Sequence, residues 1–212
     1  MDYLINKNNY KRNKLSVIIP TYNCVEYLNR CIISVEAANP FEIIIVDDCS
    51  TDGTGELCDK FIDKGNITVI HNHDNLGVVD SRNVGLIEAK GEYVTFIDSD
   101  DWIEPEFLRR AIDELNIQDS VDIVVGRMLQ DNGKGKINYL ATVTNEVILN
   151  HKEAIGQLFD WRYYRWELCG KVYRRRLFEN YRCDGEIRIC EDLDSTWQVF
   201  RSADKTLCLP ID

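Results

Sequence analysis

Short apolar runs recur through the first hundred residues, and each ends in polar or acidic residues: Leu15–Ile19, Glu42–Val46, Ile67–Ile70 and Tyr93–Ile97. They are rich in β-branched and aromatic side chains and are bounded by Gly, Pro or acids, which predicts buried strands. Between them the apolar spacing changes. Leu28, Ile32, Ile33 and Val35 predict a helix over 25–37 that ends before Asn39-Pro40, and further helices are expected over 54–63 and 77–89. Strand–helix alternation at this spacing predicts an α/β doubly wound sheet, and the near-continuous apolarity of 42–46 suits a parallel strand covered on both faces. Ligands of such sheets bind outside the carboxyl ends of the strands. Here those ends are 20–23, 47–52, 71–75 and 98–102, all polar and three of them acidic.

Beyond Asp101 the pattern loosens. It predicts a helix from Pro105 to about Leu115, a strand over 121–125, a hairpin turning at Asn132–Gly135, a helix over 152–161 and a short strand over 171–174. A brief helix from Leu177, a helix from Glu191 to about Phe200 and a last strand over 205–209 complete the chain. This second half is too small to stand alone and is expected to extend the same sheet. Residues 1–14 have no periodicity and are expected to form a flexible arm.

The chemistry concentrates where the Tyr93–Ile97 strand ends. Asp98, Asp100 and Asp101 place three carboxylates within four positions, and their mutual repulsion calls for a compensating cation. Hard oxygen donors with no His or Cys alongside suit Mg²⁺ or Mn²⁺, an ion that commonly bridges protein carboxylates to substrate phosphates. The alternative is a solvated acidic turn capping the helix at Pro105. A net charge of −11 over 212 residues argues against a nucleic-acid partner. No apolar run has the length of a membrane span, and the basic start lacks the apolar core of a signal peptide, so the expected location is cytoplasmic. Eight cysteines without a C-x-x-C pair are read as reduced thiols. His71 and His73 are read as loop residues rather than metal ligands.

Two local motifs compete. Gly53-Thr-Gly55 opens a helix after a strand, but Cys58 replaces the third glycine of a dinucleotide fingerprint, and acids stand where a pyrophosphate would bind. Asp98-x-Asp100 resembles the haloacid-dehalogenase phosphatases only locally, because their aspartates follow the first strand.

Four segments together resemble the family 2 glycosyltransferases of the GT-A fold. They are Ser16-Val-Ile-Ile-Pro-Thr-Tyr-Asn23, Ile44-Ile-Val-Asp-Asp48-x-Ser-Thr-Asp-Gly53, Asn75-Leu-Gly77 with Ser81-Arg-Asn83-x-Gly85, and Gly91 to Asp101. A looser likeness continues through Gly170-Lys-Val-Tyr-x-Arg174 and Glu191-Asp192. The resemblance implies a three-layer, Rossmann-like α/β fold with a mostly parallel mixed sheet. It implies a single catalytic domain over 15–212, with a nucleotide-sugar half (15–102) and an acceptor half (103–212), in a chain that family members commonly extend at the C-terminus. It also implies that Pro20, Thr21 and Tyr22 line the base or ribose pocket, that Asp48 accepts the imide N–H of uracil, and that Asp98 and Ser99 meet the nucleotide-sugar. Asp100, or alternatively Asp101, would ligate Mn²⁺ or Mg²⁺. Arg82 would face the diphosphate or brace the aspartates, unless it makes a plain surface salt bridge. Of the Glu191-Asp192 pair, Asp192 is the expected general base. The implied reaction is inverting transfer from a UDP-sugar to a saccharide or lipid-linked acceptor in bacterial surface polysaccharide synthesis. The aromatic and basic stretch Trp161–Trp166 fits an acceptor platform, peripheral contact at the inner face of a membrane, or ordinary packing. A metal-dependent phosphatase or nucleotidyltransferase and a non-catalytic nucleotide-sugar-binding module are the alternatives.

Overall fold

The computed structural model describes residues 14–62, 64–131, 137–139, 143–181 and 190–211. The four apolar runs of the first half become β1 (Leu15–Thr21), β2 (Glu42–Asp47), β3 (Ile67–His71) and β4 (Tyr93–Phe96), parallel to one another in the spatial order β3-β2-β1-β4. They are linked by α1 (Leu28–Glu36), α2 (Thr54–Asp59) and α3 (Val78–Glu88). The second half supplies α4 (Pro105–Ile117), β5 (Ile123–Val125), β6 (Leu129–Asp131), β7 (Ile137–Tyr139), β8 (Val147–Asn150), α5 (His151–Asp160), β9 (Lys171–Arg174), a 3-10 turn (Arg175–Phe178), α6 (Glu191–Phe200) and β10 (Lys205–Cys208). As expected, it extends the first sheet, continuing it as β4-β9-β5-β10-β8. β9 runs antiparallel to both β4 and β5, and β8 antiparallel to β10, so the sheet is mixed but mostly parallel. β6 and β7 pair as an antiparallel hairpin, whose turn lies outside the described residues, as do residues 1–13.

Two apolar cores flank the sheet. Along β1 the side chains of Leu15, Val17 and Ile19 join α1, Cys58 of α2, and α4, while Ile18 joins the core built with α5 and α6. The period-2 alternation of a strand thus feeds both layers. α3 lies on the Ile18 face at close range: a Cβ on Gly85 would stand 2.4 Å from Ile18 Cγ2. Ser16 and Glu42, buried in β1 and β2, are satisfied internally. Glu42 accepts hydrogen bonds from Ser16 Oγ and the Lys90 amide, each at 2.6 Å, and the Gly91 amide donates to Ser16 Oγ at 2.8 Å.

Three local expectations change. α2 ends at Asp59 rather than 63, because the amides of Phe61 and Ile62 bond to the carbonyls three residues back and turn Phe61 into the core. His71 is not a loop residue but closes β3, bonding through Nδ1 to Asp47 Oδ2 at 2.9 Å and through Nε2 to Asp59 Oδ1 at 3.1 Å. The strand expected over 121–125 begins at Ile123, because Asp122 turns its carboxylate to Arg176 and the Asp204 amide. The seven described cysteines are free thiols, and Cys183 lies outside the described residues. Among those residues no helix is long and apolar enough to cross a membrane.

Candidate active site

β1 has β2 on one side and β4 on the other, so the crevice of this sheet is expected at their carboxyl ends. A cavity of about 330 Å³ lies there, and Pro20, Thr21, Tyr22, Asp48, Asp98, Ser99 and Asp100 all line it. Seven of the residues picked from sequence are therefore brought to one wall. Thr21 is buried, and its hydroxyl has no hydrogen-bond partner among the described residues.

Asp48 is the buried anchor of this cleft. Its Oδ1 accepts from Asn72 Nδ2 at 2.8 Å and the Leu76 amide at 2.9 Å, and its Oδ2 accepts from the Gly77 amide at 2.7 Å. Asn75 Nδ2 reaches the Asp48 carbonyl at 3.2 Å. Gly77 presents its amide with φ +92°, a conformation that glycine adopts without strain. A carboxylate has about four acceptor sites, so Oδ2 keeps one for a donor in the cleft. The contacts of Asn72 and Asn75 in the loop after β3, and of Ser81 in α3, were missing from the sequence-based site. Asn75 was visible within a motif, but Asn72 had no signal of its own.

Arg82 joins the two halves of the site. Its side chain is 4% exposed; Nη2 donates to Asp98 Oδ1 at 2.8 Å and Nη1 to Asp192 Oδ1. It is a buried brace of two aspartates, not a surface ion pair. Burial works against the cation, but the charges of Asp98 and Asp192 outweigh it and raise the arginine's pKa. Burial raises the Asp192 pKa from its ordinary value, with Arg82 opposing the rise and Asp98 adding to it. Glu191 stands beside Asp192 in the first turn of α6.

The turn after β4 also borders a second cavity, of about 120 Å³, lined by Asp101, Trp102, Arg127, Met128, Cys169 and Gly170 among others. Asp98 and Asp100 thus face one cavity and Asp101 the other. Ligating atoms of Asp98, Asp101 and Cys169 lie within 4.8 Å of one another, so the fold brings a cysteine beside carboxylates that were expected to stand without one. Burial, then the charges of Asp98 and Asp100, push the Asp101 pKa up to about 6. Trp102 carries the Arg30 guanidinium 3.3 Å from its ring centroid. These second-cavity residues come from distant segments, and only Asp101 among the six was legible as a site residue. In the aromatic stretch, Trp161 is 43% exposed and meets Trp166 edge-on at 4.6 Å, with Arg165 alongside both rings, whereas Tyr164 is core.

The sequence matches the description "Glycosyl transferase family 2" over residues 16–182. The chain belongs to glycosyl transferase family 2. It is 32% identical over 184 residues to glycosyltransferase GlyA of Streptococcus pneumoniae, a match covering 81% of this chain and 26% of GlyA. It is 30% identical to the glycosyltransferase EpsJ of Bacillus subtilis, with 92% of this chain and 58% of EpsJ covered. The crystal structure of residues 1–349 of S. aureus TarS superposes with a TM-score of 0.78 at 29% identity, covering 94% of this chain and 58% of that one. This likeness places the family 2 domain in the GT-A fold. TarS is a poly(ribitol-phosphate) beta-N-acetylglucosaminyltransferase, and it has been crystallised with UDP and with UDP-GlcNAc. The chain spans a quarter to three fifths of the length of these relatives.

Proposed function

We propose that this chain is the catalytic domain of an inverting glycosyltransferase that moves a sugar from a UDP-sugar to an acceptor hydroxyl in bacterial surface polysaccharide or glycoconjugate assembly. One observation carries the reading. Arg82 brings Asp192, a carboxylate of raised pKa, against Asp98 on the wall of the Asp48 cleft. A base for the acceptor and a pocket for the donor therefore share one hinge of charge. The UDP and UDP-GlcNAc complexes of TarS support a uridine donor.

In this reading Pro20, Thr21 and Tyr22 enclose the nucleoside, and Asp48 Oδ2 accepts the base imide N–H. The unpartnered Thr21 hydroxyl gains a hydrogen-bond partner there. Asp192 takes the proton of the acceptor hydroxyl as its oxygen attacks the anomeric carbon and the bond from that carbon to the diphosphate breaks. Three carboxylates at one turn form a donor set that fits Mg²⁺ or Mn²⁺. Asp100, or alternatively Asp101 on the neighbouring cavity, would hold the ion, which when bound would offset the charge of the departing diphosphate. Cytoplasmic action on a saccharide or lipid-linked acceptor, with the exposed Trp161 and its arginine neighbours toward acceptor or membrane, completes the proposal.

The test is UDP release from a panel of UDP-sugars with saccharide acceptors. Asp192→Asn is expected to lower kcat by roughly 10²- to 10⁴-fold while UDP binding stays unchanged. Turnover unaffected by Asp192→Asn would remove the base assignment.

A further inference from the structure

The helix that carries Arg82 is anchored at several points. Gly85, one turn on, sits against Ile18 of the central strand, and the buried Ser81 accepts from Asn72 Nδ2 at 3.2 Å, which ties α3 to the Asp48 loop. α6 starts differently. Its first turn holds Glu191, Asp192 and Asp194, and its N-cap Cys190 is left-handed (φ 59°) and makes no side-chain capping bond. Further along, Ser195 accepts from Tyr181 Oη at 2.9 Å and Thr196 Oγ1 donates to the Trp166 carbonyl; among the described residues, the bond from Arg82 to Asp192, 110 positions apart, is the polar tie from this first turn to the donor cleft. Among the described residues Arg82 Nε is buried without a partner, and Nη1 and Nη2 hold the two aspartates.

We infer that Arg82 is a positioning residue: it registers the general base Asp192 against Asp98, so that acceptor activation and donor binding are held in one fixed geometry. This rests on the transferase reading above. A guanidinium is a rigid planar fork, able to fix two carboxylates at once, whereas an ammonium is a mobile point charge on a flexible stem. Arg82→Lys keeps the charge and loses the register.

Two measurements decide it. The first is a double-mutant cycle of Arg82→Lys with Asp192→Asn, with kcat read at saturating UDP-sugar and UDP affinity read separately. A displacement of about 1 Å costs about 100-fold in rate, so Arg82→Lys is expected to lower kcat by about that factor and UDP affinity by less than about threefold. Because Arg82 acts through Asp192, the double variant is expected to be no slower than Asp192→Asn alone, within about threefold, as groups acting as a unit are non-additive. Multiplying losses, or a fall in UDP affinity equal to the fall in kcat, would overturn the inference. The second measurement needs no turnover. Amide hydrogen exchange of Arg82→Lys should rise in residues 191–195 and stay level in β1 and β4. Unchanged exchange in the first turn of α6 would overturn the inference as well. A wild-type protein that releases no UDP from any UDP-sugar would instead refute the transferase reading, and the exchange experiment would still decide the role of Arg82.

Discussion

Replacing Gly85 with alanine tests the seat of α3. In an exposed helix interior the change would stabilise by about 1 kcal/mol through backbone propensity. Here the new Cβ would stand 2.4 Å from Ile18 Cγ2 and 3.4 Å from both Cβ and Cγ1 of the same side chain. Carbon atoms settle about 3.5–4.0 Å apart, so a gap of about 1 Å must open. Ile18 cannot readily provide it: it is fully buried in a strand paired on both sides, and its β-branched side chain is stiff. Overpacking of this kind costs about 1–3 kcal/mol, and so short a contact belongs at the upper end. The two effects together predict a net loss of about 2 kcal/mol. At about 2–4 °C per kcal/mol for a chain of this size, Tm should fall by about 4–8 °C. Urea unfolding with an unchanged slope would give the free energy directly. Ile18→Ala removes the opposing methyl, so it should cost less in the Gly85→Ala background than its usual ~2–5 kcal/mol. A Gly85→Ala protein as stable as wild type, or more stable, would mean that α3 does not sit this close to β1, and the placement of Arg82 would fall with it.

Asp48→Asn puts an amide where two backbone N–H groups and Asn72 converge, and hydrogen bonds to a charged group are worth about 1.5–3 kcal/mol each. Urea unfolding should show a loss of about 2–3 kcal/mol, and calorimetry should show weaker UDP binding. Asp122 is fully buried beside Arg176, Arg174 and the Asp204 amide; because Arg176 is half exposed and Arg174 keeps backbone acceptors, Asp122→Asn is expected to cost about 1.5–3 kcal/mol in the same unfolding assay. The hydrogen bond to the Asp47 carboxylate raises the His71 pKa above its ordinary value, with burial opposing and Asp59 adding. A raised histidine stabilises fully below the unfolded value of about 6.5 and loses that contribution as pH rises through the folded value. The stability gap between wild type and His71→Gln should therefore be widest below about pH 6 and shrink on the alkaline side. A gap that widens with pH would contradict the bonding seen at His71.

The central strands were legible because their residues are apolar almost throughout and end in polar turns, and the helices between them because Leu28, Ile32 and Val35 repeat at helical spacing. Local pattern failed where long-range contact decides. Phe61 and Ile62 continue a helical spacing beyond Asp59, yet the core draws Phe61 in through tighter turns. The antiparallel insertion of β9 between β4 and β5 has no mark in the residues 171–174 themselves. The acidic turn at 98–101 announced a charged site, but its division between two cavities depends on Cys169 and Arg127 arriving from elsewhere. The Arg82–Asp192 contact spans 110 positions, and only the fold could show that the arginine of one motif meets the acid of another.

The most direct test of the donor site is titration calorimetry of UDP with and without Mn²⁺, with GDP and ADP as controls, on the wild-type chain and on Asp100→Ala. The expected result is UDP binding that strengthens with Mn²⁺, exceeds GDP and ADP binding, and loses its metal dependence in Asp100→Ala. Failure of every nucleoside diphosphate to bind in the presence of Mn²⁺ would contradict the assignment of the Asp48 cleft as a nucleotide-sugar site.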